Sequence, residues 1–376
     1  MKYFVAGCGL SGAVIARGLA EVGNQVTIWD RRNHIGGNMY DYREEHGILV
    51  QKYGPHTFHT NDVNLFNFMS KYEDWETYTL KCGAYWDNTF TPTPFNFKTI
   101  DQFFSNTKAE RLKNKLRTTY SSTTVSVVDA LDSTDSEIKS YAEYLFKMDY
   151  GPYTAKQWGM DPSNIDSSIL KRVPLRLSYD EGYFDDIIQV MPKHSFTTFF
   201  TNLLDHPNIV VKLGVEAMNH LSFNNDHIFV DGLSDCTVVY TGALDQLFSY
   251  VYGKLPYRSL IFEWRYSKKS PIQPYPVVAY PQEKGFTRIT DYSLLPLQNN
   301  KGSVYAIEYP VSSSADIESE PYYPVITDSS MNKYKKYLNL AEKIDNLKYC
   351  GRLGDFKYYN MDQALSRALA VLNSIR

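Results

Sequence analysis

The sequence predicts an α/β fold class: a Rossmann-like domain, an inserted helical domain and an antiparallel β-sheet domain. Three observations carry this. A strand, glycine turn, helix and second strand open the chain; a basic, helix-favouring stretch fills its middle; short β-rich runs follow.

Taken in order, residues 2–6 (KYFVA) form an apolar run stopped by Gly7, as a buried parallel strand should be. From Ser11 the period becomes helical, with Ile15, Leu19 and Val22 on one face and Gly23 as the stop. Gln25 to Ile28 give a second strand that closes at Asp30, completing a β-α-β unit. In the middle, Thr99-x-x-Gln102 and Thr134-x-x-Glu137 read as capping boxes, and the Ser/Thr run at 118–126 reads as a loop. Residues 100–172 are therefore expected to be a mostly helical insertion. Strands are expected at Val210–Val215, His227–Val230 and Thr237–Tyr240. Leu260–Tyr266, Thr287–Thr290 and Ser303–Tyr309 read as strands of a further antiparallel sheet. A strand at Leu347–Cys350, a Gly351-Arg352 turn and a helix from Met361 to Ile375 end the reading.

Composition narrows the function classes. A chain of 376 residues exceeds what one hydrophobic core organises, so two or three domains are expected. Acidic residues (42) nearly balance basic ones (39), and the net charge of -3 points away from nucleic acid and from an anionic membrane surface. A bound phosphate must then be held by a few placed cations and backbone N–H groups. The 31 tyrosines are unusual, and phenol rings can stack on sugars and bases while their hydroxyls reach phosphates. Most of them are expected to line domain interfaces. Cys8, Cys82, Cys236 and Cys350 form no C-x-x-C pair, which fits neither a disulfide framework nor a zinc spacing. No metal is expected. The apolar start is interrupted by Gly7, Gly9, Gly12 and Arg17, unlike an export signal, and no stretch reaches the roughly 18 apolar residues of a span. A cytoplasmic location is expected.

Gly7-x-Gly9-x-x-Gly12 stands between a strand and a helix, where a dinucleotide fingerprint must be. Gly7 permits the tight turn, Gly9 lets backbone approach a pyrophosphate, and Gly12 lets helix pack on strand. The helix start, with Leu10 and Ser11, offers unpaired N–H groups to phosphate. Asp30 can accept from ribose hydroxyls and would repel an NADP 2′-phosphate. Arg31-Arg32, followed by Gly36-Gly37, makes a second glycine turn of the sort FAD-binding folds lay along the flavin. The fingerprint alone does not choose between FAD and NAD.

Residues 33–61, NHIGGNMYDYREEHGILVQKYGPHTFHTN, resemble the UDP-galactopyranose mutase family. The resemblance recurs in order at GPYTAKQWG (151–159), ILKRVPLR (169–176), YTGALDQLF (240–248), PYRSLIFE (256–263), FTRI (286–289), EYP (308–310), EPYYPV (320–325) and CGRLGDFKYYNMDQAL (350–365). It implies an FAD enzyme, active with the flavin reduced, that interconverts pyranose and furanose forms of a nucleotide sugar through a covalent sugar adduct at flavin N5. The implied substrate is UDP-galactopyranose, with a related nucleotide sugar or an FAD oxidoreductase as alternatives. Electrons would come from NAD(P)H or a flavin reductase, and a homodimer is implied. So is a division into an FAD-binding part (1–78, 193–247, 338–376), a helical substrate-binding part (100–172) and a sheet (79–99, 173–192, 248–337).

The resemblance also assigns residues. Arg172 and Arg288 are the implied catalytic cations, since permanently charged guanidinium groups suit a departing diphosphate; Arg176 competes with Arg172 on residue type alone. Tyr153, Tyr183, Tyr323 and Tyr358 match tyrosines at the uridine, diphosphate or sugar. Trp158 matches an aromatic facing the sugar, with a core tryptophan as the equal alternative. His59 is expected at the flavin and in proton transfer; for His56, flavin contact and a structural role stand open. Gly37, Asn38, Arg352 and Met361 join Gly7, Gly9, Leu10, Ser11, Gly12, Asp30 and Arg31 as implied cofactor contacts. Asp149 and Tyr150 replace the family's bulky apolar groups at the nucleobase, Asn360 replaces an aspartate, and Leu80 replaces an asparagine. These departures fall on nucleotide and sugar contacts.

Overall fold

The computed structural model describes residues 1–158, 173–224, 226–312 and 320–375. A five-stranded parallel sheet forms its base, in the order Ile209–Leu213, Gln25–Asp30, Lys2–Ala6, Thr237–Tyr240, Leu347–Tyr349. Val5 pairs in register with Ile28 on one side and Val239 on the other, and all three are fully buried. Helices Leu10–Glu21 and Met361–Ile375 pack together on one face of this sheet, with Phe196–Leu204 beside them. The opposite face packs Tyr334, Tyr337 and Ala341 of helix Asp328–Ala341. Burial on both faces explains why these strands read as continuous apolar runs.

The second sheet has seven strands, in the order Tyr323–Pro324, Tyr257–Ser267, Ser303–Ser312, Arg288–Asp291, Val277–Ala279, Cys82–Trp86, Thr89–Thr93. It is antiparallel except where Val277–Ala279 runs parallel to Cys82–Trp86, a pairing no sequence pattern indicated. Its long ribbon, Tyr257–Ser267 against Ser303–Ser312, carries the site's charged residues. A smaller antiparallel sheet joins Phe58–Thr60 and Trp75–Thr77 to the two edges of Ile188–Pro192.

Helices Phe97–Phe103, Asn106–Thr119, Val127–Leu131 and Ser136–Leu145 form the inserted bundle. Its core is shared with the sheet through Ala84 and Trp86, and Trp86 Nε1 donates to Tyr144 Oη at 2.9 Å. Neither expected capping box is seated where the sequence pattern put it. Asn96 caps the first helix and Thr99 is its N3 residue, its hydroxyl oxygen accepting the Asn96 backbone N–H; Asp135, not Thr134, caps Ser136–Leu145. At both starts an Asx oxygen accepts the N2 amide, of Lys98 and of Glu137, as strong N-cap residues do. After Ser136–Leu145 the chain widens into one π-turn, Phe146–Tyr150, before helix Gly151–Trp158. The expected Gly351-Arg352 turn is the start of a short helix, Gly351–Gly354. The four cysteines are buried and unbridged. Among the described residues no helix is long and apolar enough to cross a membrane.

Candidate active site

The fingerprint turn leaves no room for a Cβ at Gly7 or Gly12. A Cβ on Gly12 would lie 2.0 Å from the Gly7 carbonyl oxygen, and one on Gly37 would lie 2.8 Å from Gly9 Cα. Gly7 has φ +107°, which L side chains rarely adopt. These glycines floor a cavity of about 260 Å³ that runs from the first helix to Arg352. Gly7, Gly9, Leu10, Ser11, Gly12, Asp30, Arg31, Gly37, Asn38, His56, Arg352 and Met361 all line it. Bare backbone at a helix N-terminus is what a pyrophosphate needs, so the cradle fits a dinucleotide.

The charged residues of the cavity are held by their neighbours. Asp30 accepts the backbone N–H of Cys8 at 2.8 Å and of Arg32 at 2.9 Å, which fixes the carboxylate at the cavity wall. Arg31 and Arg32 both pair with Glu320, at 2.5 and 3.0 Å, and Arg32 also donates to Asn38 Oδ1 at 3.0 Å. Glu320 thus ties the second sheet to the glycine turn.

His56 stands at the other end of the cavity. Its backbone N–H donates to Gln51 Oε1, and Gln51 Nε2 returns to the His56 carbonyl at 3.1 Å. Its Nδ1 lies 2.8 Å from the Gly54 carbonyl, which can only accept, so Nδ1 carries the proton and Nε2 presents a lone pair. Burial first, then Arg352 and Arg288, push its pKa down to about 4, so the ring is neutral at pH 7.

Beyond His56 lies a cluster of cations and phenols from six chain segments. Arg288 Nε donates at 2.6 Å to Glu308, which is fully buried and also accepts Thr290 Oγ1 at 3.0 Å. Burial alone would lower the Arg288 pKa; Glu308, Tyr153 and Tyr323 more than reverse this, so the guanidinium keeps its charge. Arg352 lies 4.9 Å from the ring centre of Tyr323 and 5.3 Å from that of Tyr358, which stack on each other at 5.2 Å. Tyr183 shares this environment with Tyr153 and Tyr358, and burial raises its pKa. Burial likewise pushes Tyr153 up to about 12, leaving a neutral hydroxyl that can donate. Arg288, Tyr153 and His56 keep only part of their surface accessible, as groups facing a deep cleft do.

Five placements differ from, or lie beyond, the sequence reading. Arg172 and the side chain of Trp158 lie outside the described residues. Arg176 is buried and committed to Asp180 and Asp185 at 3.2 and 2.6 Å. Leu80 lies in the sheet core with Ile48 and Tyr292. His59 does not line the cavity: it sits in strand Phe58–Thr60, with Nδ1 2.7 Å from Asp186 and its ring stacked on Phe184 at 3.6 Å.

The structure also adds residues that sequence reasoning passed over. Arg258, half-buried beside Tyr153 and Tyr323, has its pKa brought down to about 10 by burial. Arg258 and Glu320 both lie in quoted blocks, PYRSLIFE and EPYYPV. Alternation along a strand gave no means to tell an inward charge from a solvated one.

The decisive comparison is with known families. The UDP-galactopyranose mutase family model matches residues 149–358, and a Rossmann-like NAD(P)-binding domain model matches residues 5–72. This chain belongs to the UDP-galactopyranose mutase family. It is 36% identical over 371 residues to the dTDP-fucopyranose mutase of Escherichia coli, covering 98% of this chain and 96% of that one. It is 34% identical over 378 residues to the UDP-galactopyranose mutase of Mycoplasma pneumoniae, covering 98% and 94%. Its fold matches a crystal structure of reduced UDP-galactopyranose mutase with a TM-score of 0.70 at 14% identity, covering 100% of this chain and 95% of that one. The protein is an isomerase that interconverts pyranose and furanose forms of a nucleotide sugar.

Proposed function

We propose that this family member converts UDP-galactopyranose to UDP-galactofuranose, with FAD in the glycine-floored cavity and active when reduced. One observation carries the reading: a backbone-lined dinucleotide cavity opens, at His56 and Arg352, onto a cleft of arginines and tyrosines suited to a diphosphate. The chemistry a reduced flavin supplies when bound is an electron-rich nitrogen for the anomeric carbon.

Everything else falls to the chain. Arg288, braced by Glu308, holds its charge toward the departing diphosphate, where negative charge grows as the glycosyl bond breaks. Arg172 shares this role in the proposal. Tyr153, Tyr183, Tyr323 and Tyr358 orient the diphosphate and sugar, and Trp158 closes the sugar side. The Nε2 lone pair of His56 would take the proton that the attacking sugar hydroxyl loses as the new ring closes, balancing the proton that the old ring oxygen gains as the first ring opens. His59, held by Asp186, is assigned a proton-transfer role from behind the cavity wall. NAD(P)H or a flavin reductase supplies electrons, and the protein works as a homodimer in the cytoplasm.

A second reading has its own support. A dTDP-fucopyranose mutase is among the relatives, and Asp149, Tyr150 and Asn360 depart from the family pattern at nucleotide and sugar contacts. The test is a panel of UDP- and dTDP-sugars incubated with dithionite-reduced and with oxidised protein, with ring forms separated by chromatography. Reduced protein should equilibrate pyranose and furanose forms of one substrate, while oxidised protein stays nearly inert. Equal activity of the two forms, or none on any sugar nucleotide, overturns the reading.

A further inference from the structure

Two groups of the cleft reach it from different parts of the molecule. Tyr153 stands on helix Gly151–Trp158, at the end of the inserted bundle, and Arg288 opens a strand of the second sheet. Tyr153 lies close enough to act on the charges of both Arg288 and Arg258. Loop 280–287 joins Val277–Ala279 to the Arg288 strand and is closed by the Tyr280 N–H donating to the Thr287 carbonyl at 2.9 Å. The carbonyls of Tyr280, Glu283 and Phe286 in this loop converge on one point. Lys156 Nζ fills it, at 2.5, 2.7 and 2.9 Å. A lysine usually leaves its ammonium in water, yet half-buried Lys156 commits all three donors to backbone.

One side of this junction is rigid. The Arg288 strand pairs along both edges, with Val277–Ala279 and with Ser303–Ser312. The Thr287 N–H and hydroxyl both donate to the Glu308 carbonyl, at 2.9 and 3.1 Å, and the Glu308 side chain braces Arg288. Loop 280–287 is thereby fixed to the pair that holds the cation. The other side is an eight-residue helix, too short for its own backbone bonds to hold it in place. What it is tied to sets its position. Gln282 Nε2 adds a lighter tie just ahead of the helix, donating to the Met148 carbonyl at 2.6 Å and the Lys147 carbonyl at 3.3 Å. Lys156 follows Tyr153 by three residues, so the two share a side of the helix.

We propose that Lys156 is a positioning residue: its ammonium clasps loop 280–287 to the helix and so sets the Tyr153 hydroxyl against Arg288 across the cleft. The inference rests on the mutase reading, in which both groups meet the diphosphate. Hydrogen bonds weaken steeply once misaligned, so a phenol displaced with its helix loses the phosphate oxygen it should donate to. A neutral side chain of similar length at 156 leaves three carbonyls without their donor. The loop must then admit water or part from the helix, and Tyr153 moves while Arg288, held by Glu308, stays.

The test is calorimetric binding of UDP and dTDP to the flavin-loaded protein, for wild type, Lys156→Met, Tyr153→Phe and the double variant. Lys156→Met should weaken the bound nucleotide about tenfold in the wild-type background and at most about threefold in Tyr153→Phe, as two residues acting through one contact do. Flavin content should match wild type, because the described residues of this helix line no part of the cofactor cavity. Lys156→Cys should show the same loss, and aminoethylation of the new thiol, which rebuilds an ammonium at lysine's length, should restore affinity. The four native cysteines are buried, and wild type carried through the same treatment controls for them. If Lys156→Met does not fold, Lys156→Cys before and after aminoethylation takes its place. Undiminished nucleotide binding in Lys156→Met overturns the proposal. So does a tenfold loss that persists undiminished in Tyr153→Phe, since the lysine then acts on something other than Tyr153. Wild type that binds nucleotide but interconverts no ring forms defeats the mutase reading instead, while the coupling of Lys156 to Tyr153 still decides the clasp.

Discussion

The pair Arg288 and Glu308 shows how one residue's function depends on another's burial. Glu308 is fully buried, so deleting Arg288 removes a cation from the cleft and also strands a carboxylate in the interior. Arg288→Ala is expected to cut kcat by about 10²–10³-fold, from lost charge stabilisation of the leaving group. It should also destabilise the fold by about 3–5 kcal/mol, the range for breaking a buried pair. Arg288→Lys separates the two effects: denaturant titration should recover most of the stability, while kcat stays depressed because a point charge replaces a fork. Wild-type kcat in Arg288→Lys would remove the planar guanidinium from the mechanism.

His56 supplies a second residue-scale prediction. Its pKa falls from about 6.5 in an unfolded chain to about 4 in the fold, chiefly through burial. The unfolded state therefore takes up the proton first as pH drops. His56 favours the fold fully above pH 6.5, and that contribution is lost as the pH falls toward 4. Stability measured by urea titration should decline over this window, and His56→Asn should flatten part of the decline. An unchanged acid limb in the variant would contradict the buried, neutral ring.

Among the elements, the first helix is the most tightly specified. It approaches the first strand so closely that a Gly12 Cβ would meet the Gly7 oxygen at 2.0 Å and Val5 Cγ1 at 3.1 Å. Gly12→Ala must push helix and strand apart, which also moves the N–H groups that face the cofactor. The variant should purify with little or no bound flavin by visible absorption and melt several degrees lower. Full yellow colour and an unchanged melting point would show that the turn has slack the distances deny. Capping illustrates the opposite case. The Ser/Thr-x-x-Glu/Gln pattern at Thr99 and Thr134 was real in the sequence, yet Asn96 and Asp135 took the caps. A pattern nominates several residues within one turn, and only the approach angle of the preceding chain chooses among them.

At the scale of the whole molecule, the cleft draws on residues as far apart as His56 and Tyr358. The glycine fingerprint was legible because all its parts lie within one β-α-β unit, where spacing and geometry are the same thing. The cluster of Arg288, Tyr153, Tyr323, Tyr358 and Arg352 was legible only through family resemblance, which carries tertiary information that spacing lacks. Arg258 and Glu320 were missed for that reason. Each is a charged residue in a β-rich stretch, and only the packing of the second sheet against the parallel one turns them inward. His59 shows the limit from the other side: motif proximity to His56 suggested the same wall, but strand alternation and the Asp186 contact set it apart.

By itself, the sequence determined the parallel sheet, the dinucleotide cradle, the closing helix and the unbridged cysteines, because local periodicity and glycine stereochemistry act over a few residues. Tertiary structure decided which cations stay charged and which histidine meets the cavity. Those properties depend on burial and on charges brought together from distant segments, and neither is a function of spacing along the chain.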